Sequence, residues 1–127
     1  MRQNEANLIF SATLHGPSGA LCEVVVAEQD SVHYTYRADS GKSPRTEEIK
    51  VRRRDVNDFL WEVEDIAHSQ WDKARYGRGE VSAPGSWMVL LEKDRKLVKW
   101  QGCGEYPPHW EEFRLLVEEF IDRPFGW

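Results

Sequence analysis

The apolar residues of this chain switch between a period of two and a period of about 3.6, and that switching requires helices set against a sheet. In ANLIFSATL, Leu8, Phe10, Ala12 and Leu14 alternate with Ile9, Ser11 and Thr13. HGPSGA follows with the turn formers Gly16, Pro17, Ser18 and Gly19, so the β-branched LCEVVVAEQ reads as the second arm of a hairpin. VHYTYRA places Val32, Tyr34 and Tyr36 on one side and His33, Thr35 and Arg37 on the other, a third strand of an antiparallel meander. After the polar loop DSGKSPR, TEEIKVRR alternates Ile49 and Val51 with charged neighbours. This predicts a fourth strand at a sheet edge, where charges oppose edge-to-edge association.

At DVNDFLWEVEDIAHS the period changes. Val56, Phe59, Leu60, Val63, Ile66 and Ala67 fall on one helical stripe, and Asp55 stands where an N-cap belongs. From Ser69 to Gly85 no period persists, so the stretch reads as a long connection. SWMVLLEKD and KLVKWQG then form a hairpin about the DRK turn. Trp110, Phe113, Leu116, Val117, Phe120 and Ile121 return to helical spacing, with Glu111 and Glu112 in the first turn and Pro124 past the end. The expected fold is one α+β domain over residues 1–127, in the order ββββ-α-ββ-α. It has a mostly antiparallel sheet of five to six strands, covered on one face by two amphipathic helices.

With 40% apolar, 12% aromatic and 31% charged residues the chain is too hydrophobic for disorder. Its net charge of −5 disfavours nucleic acid and anionic lipid as partners and mildly favours a basic one. There is no apolar run of membrane-spanning length and no signal-like segment at MRQNEANLIF, so a cytoplasmic protein with no membrane partner is expected. Cys22 and Cys103 are the two cysteines and are read as reduced thiols, although a single bridge between them is compatible with the sequence.

The densest stretch, WQGCGEYPPHWEEFRLL, invites a reactive-site reading. Cys103 and His109 have neither the paired spacing nor the further ligands a zinc site needs, and no metal is expected. A thiolate nucleophile would need more than a cysteine upstream of a helix. Each part has a structural use: Gly102 and Gly104 turn the chain, Pro107 and Pro108 start a helix, and Tyr106 and Trp110 pack back on the sheet. Lys50, Arg52, Arg53 and Arg54 read as an edge strand running into a helix. The helix carboxylates Glu62, Glu64, Asp65, Glu111, Glu112, Glu118, Glu119 and Asp122 read as solvated faces. His15, His33 and His68 are scattered singly, and phosphate-loop, dinucleotide and nucleophile-elbow motifs are absent. No catalytic residue and no cofactor is assigned.

The segment SQWDKARYGRGEVSAPGSW mixes rings with cations as recognition surfaces do. Trp71, Arg75, Tyr76 and Arg78, with Tyr106 from the later turn, are the candidate binding residues. Trp71 has a second reading as an end plug of the core, four residues beyond Ala67. Trp87, Gly102, Tyr106, Pro107, Trp110 and Phe113 together resemble the pattern of small uncharacterised bacterial and phage-associated α+β proteins: a Trp-bearing hairpin, a glycine, a Tyr-Pro pair and an amphipathic C-terminal helix. The resemblance covers roughly residues 55–122; it implies a prokaryotic source and carries no activity. The expectation is a small non-catalytic module that binds another protein. Its rival is a small enzyme or ligand-binding domain with a pocket between the 69–85 connection and the 102–108 turn.

Overall fold

The structure, a computed structural model, describes residues 9–28, 31–77, 83–93 and 95–126. Seven strands form one sheet: β1 (Phe10–His15), β2 (Leu21–Glu28), β3 (Ser31–Arg37), β4 (Arg45–Lys50), β5 (Arg75–Gly77), β6 (Ser86–Lys93) and β7 (Lys96–Cys103). Their spatial order is β4-β3-β2-β1-β6-β7-β5. Two helices, α1 (Arg53–Gln70) and α2 (Trp110–Ile121), join the same core; the ring of Phe10 on β1 lies 5.1 Å from Phe59 of α1 and 6.3 Å from Phe113 of α2.

The architecture is α+β as expected, with β4 at an edge, but the sheet is mixed and has a strand more than the five to six anticipated. The addition is β5, inside the stretch read as an irregular connection. It runs parallel to β7 through Arg75↔Gln101, Tyr76↔Gly102 and Gly77↔Cys103, whereas every other pairing is antiparallel. Three residues are too few to display an alternation, and the pairing that makes them a strand is non-local.

Register explains the core. The row Ile49–Val32–Val26–Phe10–Leu91–Val98 crosses six strands on the helix-covered face, and Glu47–Tyr34–Val24–Ala12–Val89–Trp100 lies beside it. A third row, Arg45–Tyr36–Cys22–Leu14–Trp87–Gly102–Tyr76, forms the rim of the sheet. Leu21, Glu23, Val25, His33, Thr35 and Arg37 fall on the opposite face, as period two demands.

Helix α1 owes its stability to packing. Asp55, expected as the N-cap, is the third residue of the helix; Arg52 holds the cap position and makes no side-chain cap. Arg53 and Arg54 open the helix instead of extending the edge strand, and cations there oppose the macrodipole. Burial of Val56, Phe59, Val63, Ile66 and Ala67 outweighs this, at about 1.5–3 kcal/mol per large side chain. Among the described residues no helix is long and apolar enough to cross a membrane.

Helix α2 begins at Trp110, so Pro107 and Pro108 precede it instead of occupying its first positions. His109, at φ 61°, turns the chain into the helix. Beyond α2 the chain folds back: Phe125 is buried, and its N–H donates to Glu118 Oε2 at 2.8 Å. Tyr34 donates its hydroxyl to the Pro124 carbonyl at 2.7 Å, and burial pushes its pKa well up. Cys22 is buried and Cys103 half-buried, both as free thiols.

Candidate functional site

At the end of α1 a group of aromatic rings gathers around Trp71, one of the five candidate residues. Trp71 caps α1, its N–H reaching the Ala67 carbonyl at 3.1 Å, and it is only 5% exposed. Its ring lies 5.1 Å from Phe113, 5.5 Å from Trp100 and 6.0 Å from Trp87. Two indole N–H groups bind the turn that leads into α2: Trp71 Nε1 donates to Pro108 O and Trp87 Nε1 to Glu105 O, each at 2.9 Å. With both N–H groups paired inside, the rings can be buried without leaving an unsatisfied donor. Gly102 is glycine for this reason: a Cβ there would stand 2.6 Å from Trp87 Nε1 and 2.6 Å from the Tyr76 carbonyl.

The exposed patch expected around Trp71 and Tyr76 is therefore absent. Of the two readings of Trp71, the core plug is the one the structure takes. Tyr76 is buried on β5 opposite Gly102, its hydroxyl donating to Asp72 Oδ1 at 3.1 Å and accepting from Lys73 N at 3.2 Å. Strand alternation turns Arg75 to the other face, where it is exposed. Arg78 lies outside the described residues. Tyr106 remains, 46% exposed and 5.1 Å from Trp110, so the candidates do not meet on one surface.

Tyr106 does line a cleft. At the rim of the sheet, Leu14, His15, Ser86, Tyr106, Trp110 and Arg114 surround a space of about 310 Å³. The rival reading placed a pocket between the 69–85 connection and the 102–108 turn; Gly85 and Tyr106 belong to those segments and line this space, with the end of β1 as an added wall. Ser86 is 6% exposed and its Oγ is, among the described residues, the buried side-chain polar atom without a hydrogen-bond partner. An unpaired buried hydroxyl costs about 1–3 kcal/mol. Burial lowers the pKa of His15, keeping its imidazole neutral at pH 7. Arg114 is already held, with Nε donating to Glu111 at 3.1 Å and Nη1 to Glu118 at 2.9 Å and to the Phe125 carbonyl at 3.1 Å.

A second concavity lies between the helices. Val51, Phe59, Leu116 and Phe120 form an apolar floor, rimmed by Asp55, Asp58 and Glu62 of α1 and Glu119 of α2, around about 250 Å³. Phe59 and Phe120 stack face to face at 4.0 Å beneath it. Asp55 is engaged by Arg52 at 3.4 Å, whereas Asp58, Glu62 and Glu119 have no cationic partner among the described residues. Trp61, three residues after Asp58 on the outer side of α1, is 70% exposed. Glu62 and Glu119 read from sequence as solvated helix faces, and the helix wheel gave no reason to bring residues 55–62 and 116–120 together.

The remaining candidates make no site. His109 faces Glu112 at 3.2 Å, and Cys103 lies 3.9 Å from the Pro84 carbonyl. Among the described residues no three of His, Cys, Asp or Glu gather in a way that would hold a metal ion. Searches against known protein families and against curated proteins find no match to the chain.

Proposed function

We propose that the protein is a small non-catalytic interaction module that seats a basic, amphipathic segment of another protein in the groove between α1 and α2. The observation that carries this is an apolar floor of Val51, Phe59, Leu116 and Phe120 inside a rim of four carboxylates, three of them without a cationic partner among the described residues. A helix with aliphatic or aromatic anchors on one stripe and Lys or Arg beside them matches both floor and rim. The net charge of −5 supports the same polarity, since it raises the encounter rate with a cationic partner. Exposed Trp61 adds a ring face on which a cation could rest.

A fluorescein-labelled Leu/Lys amphipathic peptide, its Leu/Glu counterpart and anisotropy titration test the reading. The cationic peptide should bind and the anionic one should not. Asp58→Lys with Glu62→Lys should weaken binding by about tenfold or more, from roughly 1 kcal/mol per close charge pair in water, and binding should weaken as salt rises. Glu92→Lys with Glu105→Lys, the same charge change elsewhere, should have a much smaller effect. Equal loss from both pairs would reduce the interaction to net charge and overturn the groove.

A further inference from the structure

The structure assigns the outer face of α1 to weak self-association: two copies of this chain lay their α1 helices antiparallel about a twofold axis, the Trp61 of each covered by Asp58 of the other. This goes beyond the groove between the helices and does not rest on it. The face concerned is a single stripe. At about 100° per residue Arg54, Asp58, Trp61 and Asp65 fall within about 60° of one another, on the side of α1 opposite Val56, Phe59, Val63 and Ile66. All four are exposed, and Trp61, at 70%, is more open than any other large hydrophobic side chain among the described residues. Arg54, Asp58 and Asp65 have no ionic partner among those residues.

The order of the charges is the first argument. A macrodipole favours acids at the start of a helix and bases at its end, yet α1 starts with Arg53 and Arg54 after Arg52 and carries Asp58, Glu62, Glu64 and Asp65 in its later turns. The field of α1 itself opposes this arrangement. A second α1 laid antiparallel favours it, because the cations of each copy then stand over the acids of the other and the two macrodipoles oppose.

The register is the second argument. Asp58 follows Arg54 by four residues and Trp61 precedes Asp65 by four, so one antiparallel register brings Arg54 to Asp65 of the second copy and Trp61 to its Asp58 together. Each contact occurs twice, as an isologous interface requires. The indole N–H of Trp61 donates to the Asp58 carboxylate, and the ring leaves water. A parallel pair would instead set Arg54 on Arg54 and Asp65 on Asp65. An unrelated cationic helix suits the two aspartates and leaves Arg54 facing a like charge, so a second copy is the occupant that satisfies the whole stripe. One helix from each copy makes a small interface, so the dimer is weak, populated near about 1 mM chain and dissociated below about 10 µM.

Sedimentation velocity of the full chain across that range should show the weight-average mass rising from one chain toward two, with the amide signals of residues 54–65 shifting in step. Arg54→Glu and Asp65→Arg should each weaken association about tenfold or more, since each turns two attractions per dimer into repulsions. They move the net charge in opposite directions, and both suit the macrodipole better than the native residues do, so overall charge and unfolding do not account for a shared loss. An equimolar mixture of the two variants should associate again: the reversed position 54 of one chain meets the reversed position 65 of the other, and the remaining Arg54 and Asp65 meet each other. Trp61→Ala should abolish association. The assignment is overturned if the mass stays at one chain up to about 1 mM, if either reversal or Trp61→Ala leaves association unchanged, or if the mixture stays monomeric. Arg54 and Asp65 lie outside the lining of the groove, and the peptide titration is run at low-micromolar chain where the dimer is dissociated, so this interface and the groove fail separately.

Discussion

Trp71 and Trp61 stand ten residues apart, one capping α1 and the other on its outer side, and one is 5% exposed where the other is 70%. What separates them is phase and polar satisfaction. Trp71 continues the stripe of Ile66 and Ala67 past the end of the helix, and its indole N–H finds the Pro108 carbonyl. Trp61 falls between Asp58 and Asp65, off the stripe that buries Phe59 and Val63. A ring beside arginines in an irregular segment resembles a recognition surface, yet here it is core. The accessible ring sits on a helix face whose acidic composition suggests only solvation. Aromatic density therefore marks where this molecule is held together, and the acidic edge of its helices marks where it is open.

The largest effect that would break this contrast is expected at Trp71. Trp71→Ala should cost about 3–5 kcal/mol, because it empties a site bounded by Trp87, Trp100, Trp110 and Phe113 and leaves the Pro108 carbonyl unpaired. That is a fall of roughly 10–20 °C in Tm for a chain of this size, read by thermal circular dichroism. A drop of only a few degrees would mean that the ring is peripheral and would return it to the class of Trp61.

Gly102→Ala should come next, at about 1–3 kcal/mol or more. The added methyl meets the Trp87 indole nitrogen and two backbone carbonyls, of Tyr76 and Glu105, all within 2.9 Å, and backbone cannot step aside as a side-chain tip can. Urea unfolding measures it; an unchanged midpoint would show that the turn before α2 is loosely held.

How much of this was legible in the sequence follows from how far apart the interacting residues lie. The stripes from Val56 to Ala67 and from Phe113 to Ile121 are local, and so are the alternations of β1 to β4, β6 and β7; both helices and six strands can be read from period alone. β5 is a strand only because Gly102 makes room for Tyr76 beside β7, a pairing no local pattern contains. The glycine itself was readable as a turn former, but its use, clearance for an indole on the neighbouring strand, was not. The same holds for the concavities. The cleft at the rim takes its lining from β1, β6, the turn before α2 and α2 itself, and Asp58 shares a groove with Glu119 because α1 packs on α2, so neither concavity has a motif to find. Of the five candidate residues, Tyr106 lines the cleft at the rim of the sheet, where it packs beside buried Trp87 and half-buried Trp110.

The smallest expected effect is the one that most sharpens the contrast. Trp61→Ala should change stability by no more than about 0.5 kcal/mol, since most of the side chain is already in water and the substitution puts the best helix former in its place. The same variant should bind the cationic amphipathic peptide several-fold more weakly, because the ring offers apolar area and a cation–π face next to the carboxylates of Asp58 and Asp65. These two measurements must be made on one preparation, for only their combination distinguishes an open surface from a packed one. If Tm falls as it does for Trp71→Ala, the outer side of α1 is structural and the comparison collapses. If Tm and peptide affinity are both unchanged, recognition is confined to the floor between Phe59 and Phe120, and the charge-reversal pair at Asp58 and Glu62 becomes the sole measure of how the rim contributes.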